Sequence, residues 1–218
     1  MSQKPNILWI CTDQQRLDTL GCYGNRFVST PHLDALAAQS VQCFNMYSQS
    51  PVCAPSRASF LSGRYPRTCG VRQNGQDIPD TERLVPRILR DEGGYTCGLS
   101  GKLHISVCHP SVCPDMERRI DDGYDVFRWS HHPAGRGKAN WSGNDYTNWL
   151  TSMGVDFRTT PLEDCKYVDM GMPAEYSQTT WCFSEAIRFI GENQEKPWFF
   201  SLNCFDPHHP FDPPKEYF

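Results

Sequence analysis

The chain has 218 residues, enough for one sizeable α/β domain or two small ones with a substantial core. Hydrophobic residues make up 39% and charged residues 21%, a composition that argues against both a disordered chain and a membrane span. With 21 Lys and Arg against 25 Asp and Glu the formal net charge is -4, which gives no general attraction to nucleic acid or to an anionic membrane, so any anion site must be local.

Met1 to Pro5 lead straight into a strand-like run without an apolar segment of signal-peptide length, which predicts a cytoplasmic protein, or a periplasmic or secreted one if a leader has been removed. Residues 6–12 are a short apolar run ending at Asp13, the pattern of a parallel strand buried on both faces. Thr30 and Pro31 read as N-cap and first position of a helix burying Leu33, Leu36 and Ala37. Residues 41–47 resemble a second strand, and residues 56–62 a helix stopped by Gly63. Helical spacing recurs over 81–92 despite Pro86, and Gly93-Gly94 end it before a strand at 95–100, beyond which lie Lys102 and His104. From 108 to 172 periodicity is poor and predicts long loops with short elements. An amphipathic helix over 177–194, burying Trp181, Ile187 and Ile190, precedes a strand at 198–204 that ends in Asp206, His208 and His209. Without repeats or linkers, this order describes a single domain of βα units.

The eleven cysteines are odd in number and irregularly spaced, which predicts mostly reduced thiols rather than a disulfide framework. Cys97, Cys108, His109 and Cys113 lack the paired spacing of a zinc site. His131, His132, Trp129, Trp141 and Trp149 are expected to line a loop or a sugar-accommodating wall.

The strongest motif is Cys53-Ala54-Pro55-Ser56-Arg57, continued by Leu61-Ser62-Gly63-Arg64. It resembles the C-x-P-S-R and L-[ST]-G-[RK] signature of the type I, formylglycine-dependent sulfatases of the alkaline-phosphatase-like superfamily. The resemblance implies an α/β fold with a mostly parallel central sheet flanked by helices, and it implies that Cys53 is oxidised to formylglycine by a maturing enzyme. A hydrated aldehyde suits this chemistry because it carries its own exit: one hydroxyl attacks sulfur, and deprotonation of the other ejects sulfate. Arg57 is expected to pair with the hydrate or with metal-ligating carboxylates.

Asp13-Gln14 resembles the family's metal pair, usually Asp-Asp, and implies one divalent cation, Ca2+ first and Mg2+ or Mn2+ as alternatives, held with residue 53. Gln14 brings oxygen without charge, a departure shared with phosphonate monoester hydrolases, and this keeps a phosphonate or phosphodiester hydrolase open beside the sulfatase; a catalytically silent fragment is the other alternative. Lys102-Leu103-His104 resembles a K-x-H element in which the lysine binds sulfate and the histidine assists deprotonation, a role that suits a group with a near-neutral pKa. Pro207-His208-His209-Pro210 resembles a P-H-x-P element and makes His208 the proton donor to the leaving oxygen, with His209 the alternative. By resemblance residues 1–218 are the N-terminal part of a catalytic domain, the remaining metal ligands and a further lysine falling beyond Phe218, so that the chain alone is expected to turn over little substrate. The expected partners are a small-molecule or saccharide sulfate ester and the maturing enzyme, with neither nucleic acid nor membrane.

Overall fold

A computed structural model describes residues 4–133 and 140–218. The start of the leader reading, residues 1–3, and part of the predicted loop region, 134–139, lie outside the described residues.

Four strands form one parallel sheet: β1 (Ile7–Cys11), β2 (Thr96–Gly101), β3 (Val126–Trp129) and β6 (Trp198–Asn203), in the order β1-β6-β2-β3. β4 (Thr160–Leu162) and β5 (Cys165–Met170) make a separate antiparallel pair. The helices are α1 (Pro31–Ala37), α2 (Cys53–Ser62), α3 (Pro66–Cys69), α4 (Val85–Asp91), α5 (Asp145–Ser152) and α6 (Gln178–Glu192). No helix among the described residues is long and apolar enough to cross a membrane.

Side chains alternate across the sheet and so build two cores. Phe199 joins Cys97 and Leu99 in a cluster with Ala54, Ala58 and Leu61 of α2, while Trp198, Phe200 and Leu202 pack with Trp181, Ala186 and Phe189 of α6. β6 is buried along its whole length, as a central parallel strand covered on both faces should be. The parallel sheet with helices on both faces is the architecture expected from the sequence.

Several local expectations are corrected. β1 is an edge strand among the described residues, and Leu8, Trp9 and Ile10 are exposed rather than buried on both faces. Residues 41–47 form no strand, because no neighbouring backbone completes a ladder there, and Val41, Phe44, Met46 and Tyr47 are exposed. α1 buries neither Leu33 nor Leu36; it is tied down instead by Asp34, whose Oδ1 accepts from the Cys22 N–H at 2.7 Å and from the Thr30 hydroxyl at 2.9 Å. α4 is shorter than the predicted 81–92, with Pro86 in its first turn, where a missing N–H costs no helical bond. In α6, Trp181 is buried but Ile187 lies on the exposed side.

Candidate active site

In a parallel sheet all strand C-termini lie along one edge, and the loops leaving them open a crevice there. Asp13 follows β1, Lys102 follows β2 and His208 follows β6, so the order β1-β6-β2 sets the three segments side by side. The exit from β2 depends on Gly101 at φ 95°: a Cβ there would lie 2.0 Å from the Asn203 carbonyl oxygen, an approach only glycine permits. The next N–H, that of Lys102, donates to this same carbonyl at 3.0 Å.

Asp13, Lys102 and Arg57 are all buried. The Lys102 ammonium donates to Asp13 Oδ2 at 2.5 Å, Arg57 Nη2 stands 3.6 Å from the same oxygen, and Arg57 Nη1 donates to the Lys102 carbonyl at 2.7 Å. Burial pushes the Asp13 carboxyl up, but Arg57 and Lys102 together outweigh it and hold the group below 3.8. Two cations share one carboxylate, leaving an excess of positive charge suited to an oxyanion.

Cys53 is the first residue of α2, whereas the sequence predicted a helix beginning only at 56. Pro55 fits because the first turn has no intrahelical acceptors for its N–H groups. Ala54, Ala58 and Leu61 form the buried stripe, and Gly63 at φ 67° closes the helix. The side chain of the N-cap residue Val52 makes no hydrogen bond. Asn74 caps from outside: its Oδ1 accepts from the Ala54 N–H at 3.0 Å, and its Nδ2 lies 3.3 Å from Cys53 Sγ. Sequence reading missed Asn74; Asn74-Gly75 signals a turn, but nothing in its spacing ties that turn to Cys53.

His104 and Gln14 are the two described non-glycine residues at positive φ, 52° and 58°. Such a conformation costs about 1–3 kcal/mol and persists where the surroundings enforce it. Behind His104 lies Glu117, also missed in the sequence, whose carboxylate accepts from the N–H groups of His104 at 2.6 Å and Ile105 at 2.9 Å. The His104 ring is buried, with its Nδ1 unpartnered among the described residues. Burial first, then Lys102 and Arg57, push its pKa down to about 3. This corrects the near-neutral value expected for it: in this setting His104 is held neutral. His208 is more open; burial lowers its pKa against a smaller opposing effect from its hydrogen bond to the His209 carbonyl. The His209 ring instead meets Gln14 Oε1 at 3.1 Å.

Asp13, Gln14, Cys53, Arg57, Asn74, His208 and His209 line one open cleft of about 490 Å³. Lys102 and His104 are not among its lining residues and lie buried behind it, Lys102 reaching the site through Asp13. The expected sugar wall is absent from this cleft: Trp129 and Trp141 are core residues in edge-to-face contact at 5.7 Å, His131 packs on Trp141 at 4.8 Å, and His132 pairs with Asp212 at 3.1 Å. Among the described residues no group of three His, Cys, Asp or Glu side chains is placed to hold a metal. Asp13 and Gln14 fit a hard divalent cation in kind, as oxygen donors, but fall short of the six to eight oxygens that Ca2+ takes.

The family model described as Sulfatase matches residues 5–218. An arylsulfatase of Clostridium perfringens is 30% identical over 224 residues, which cover 99% of this chain and 46% of the relative. An ulvan-active sulfatase of Formosa agariphila is 42% identical over 125 residues, covering 57% of this chain and 24% of the relative. The structure also superposes on the phosphonate monoester hydrolase of Agrobacterium radiobacter with a TM-score of 0.77 at 25% identity, covering 98% of this chain and 43% of that one. The chain thus spans less than half the length of these curated relatives.

Proposed function

Because this chain belongs to the sulfatase family, we propose that it carries the nucleophile-bearing part of a hydrolase of sulfate esters, acting through formylglycine made from Cys53. One observation carries the reading: Cys53 opens a helix at the mouth of a cleft whose walls hold Asp13, Arg57 and His208, drawn from three separate elements. The first turn of α2 aims N–H groups and the positive end of its dipole toward that mouth, where an anion is favoured.

In the hydrated aldehyde one hydroxyl gives up its proton to water in the open cleft as its oxygen attacks sulfur, and the bond from sulfur to the alcohol oxygen breaks. His208, on the open side of the cleft, is assigned as donor of a proton to the departing oxygen; a sulfate ester bound beside it would favour the imidazolium against the burial that lowers its pKa. Loss of a proton from the second hydroxyl then breaks the carbon–oxygen bond to sulfate and restores the aldehyde, which water rehydrates. His104 is assigned as acceptor of that proton from behind the cleft; the negative charge of a sulfate bound in the cleft would favour the imidazolium and raise its low pKa toward the working range. Arg57 and Lys102 supply fixed positive charge for the sulfate oxygens. Asp13 and Gln14, with residue 53, would hold a divalent cation, assigned as Ca2+, that supplies further positive charge to the nucleophile and sulfate group.

The name of the Formosa relative supports a saccharide sulfate as the substrate class. Gln14 and the superposition on the Agrobacterium enzyme favour a second reading, in which the same hydrate attacks phosphorus in a phosphonate monoester. The test is side-by-side turnover of an aryl sulfate and an aryl phosphonate by the full-length enzyme co-expressed with a formylglycine-generating enzyme, with hydrazide capture of the aldehyde. Sulfate preference with a labelled residue 53 is expected. A free thiol at residue 53 in fully active protein would overturn the reading, and a strong phosphonate preference would shift it to the second.

A further inference from the structure

The turn that carries Lys102 and His104 is held by a buried carboxylate outside the cleft. Glu117 lies between β2 and β3 and is 1% exposed. Its Oε1 accepts from the His104 N–H at 2.6 Å and from the Trp129 indole N–H at 2.8 Å; its Oε2 accepts from the N–H groups of Ile105 at 2.9 Å and Ser106 at 3.4 Å. Successive backbone N–H groups around a left-handed residue form a concavity that favours an anion. Here the chain fills that concavity with its own side chain.

The arrangement uses both oxygens of the carboxyl group: burial pushes its pKa above the ordinary carboxylate value, and the N–H donors of His104, Trp129, Ile105 and Ser106 oppose that shift and favour the carboxylate. Each oxygen faces at least one donor from the turn, so an amide would set its own N–H2 against backbone N–H groups. An apolar side chain would leave the same donors buried without acceptors, and such groups are costly to leave unpaired. The location also matters, because a buried carboxylate is otherwise unfavourable in a core and this one meets His104 at its positive φ. The segment it pins is continuous with Lys102, whose ammonium holds Asp13 and whose carbonyl holds Arg57.

We infer that Glu117 is a positioning residue, an internal anion that fixes the turn at His104 and thereby the Lys102 ammonium and the His104 ring. The inference rests on the sulfate-ester reading of the site. Its test uses the active, matured protein. Glu117→Gln keeps the shape and replaces one acceptor oxygen by a donor; kcat for an aryl sulfate is expected to fall by about 10²-fold, the scale of a misplaced catalytic group, with KM within about threefold of wild type. In hydrogen exchange the amides of residues 104–106 should lose protection while those of residues 96–101 keep theirs.

A kcat within about twofold of wild type overturns the inference. So does uniform loss of protection along β2 with kcat following the folded fraction, since a purely structural role would produce that pattern. Should the glutamine variant fail to fold, Trp129→Phe withdraws one donor from Glu117 and leaves the carboxylate in place: lower kcat at unchanged KM supports the inference, and wild-type kcat overturns it. Undiminished turnover by Cys53→Ala would refute the underlying reading of the site instead, and amide exchange alone would then judge whether Glu117 holds the turn.

Discussion

Removing the charge of Asp13 probes the centre of the site. In Asp13→Asn the Lys102 ammonium and the Arg57 guanidinium, with side chains 1% and 3% exposed, lose the carboxylate they share. Taking one partner from a buried ion pair costs about 3–5 kcal/mol, because the remaining charge is stranded without solvent. Asparagine retains an acceptor oxygen for Lys102, which places the expected loss near the lower end, about 3 kcal/mol. Urea denaturation in the presence of a chelator measures it without a contribution from bound cations. Lys102→Met should also destabilise, while the double variant removes both the carboxylate and its nearest cation and should lose less than the sum of the singles by at least about 1 kcal/mol. The pH dependence has a definite sign. The folded carboxyl titrates below its ordinary 3.8, so its contribution is present above that value and is lost as pH falls through the folded value, and the gap between wild type and Asp13→Asn should close in acid. A single variant within about 0.5 kcal/mol of wild type, or strict additivity in the double variant, would refute the shared-carboxylate account.

Asn74→Ala should cost about 1 kcal/mol, the worth of a helix cap, and lower turnover as well, which melts and steady-state kinetics would show together. Gly101→Ala drives a Cβ to 2.0 Å from the Asn203 carbonyl oxygen at φ 95° and should cost more than about 2 kcal/mol, whereas Gly191→Ala, with open space around it late in α6, should stabilise by about 0.5–1 kcal/mol; urea melts of both variants check the contrast. The His104 ring should stay neutral in an NMR titration from pH 8 to pH 5 without substrate, since its pKa is pushed down to about 3. Because the folded protein disfavours the charged ring, His104 should draw stability down as pH falls below 6.5; protonation of the ring near 6.5 would contradict the burial argument.

The parts of the fold written in local pattern were readable from sequence. The continuous apolar run at 198–204 marks a strand covered on both faces, and β6 is that strand. The run at 6–12 carries the same pattern, yet β1 has one neighbour among the described residues, because strand order is a property of topology that a run of side chains does not encode. Leu33 and Leu36 satisfy helical spacing on α1, but its tether is the polar contact of Asp34 with the loop before it, invisible to a hydrophobic period. The cleft residues Asp13, Cys53, Arg57 and His208 were picked out by motif, Asp13 and His208 in segments that leave strands and Cys53 and Arg57 on α2, and the structure brings all four to one cleft. Asn74 and Glu117 were not picked out, since each acts through backbone N–H groups distant in sequence, and a lone Asn or Glu carries no local sign of such a partner.

The order β1-β6-β2 also bears on how the site assembles. Asp13 and Lys102 are 89 residues apart and meet only because β6, last of the strands in sequence, lies between the strands that precede them. Their ion pair is therefore a non-local contact, and its loop-closure entropy must be met before the carboxylate and ammonium gain anything from one another. β6 joins the strand that leads into Asp13 to the one that leads into Lys102, and the segment leaving β6 both accepts from the Asp13 N–H at the Asp206 carbonyl, 3.3 Å, and bears His208. The charged cluster therefore depends on the same strand pairing that builds the core, since the central strand also leads into the cleft histidines.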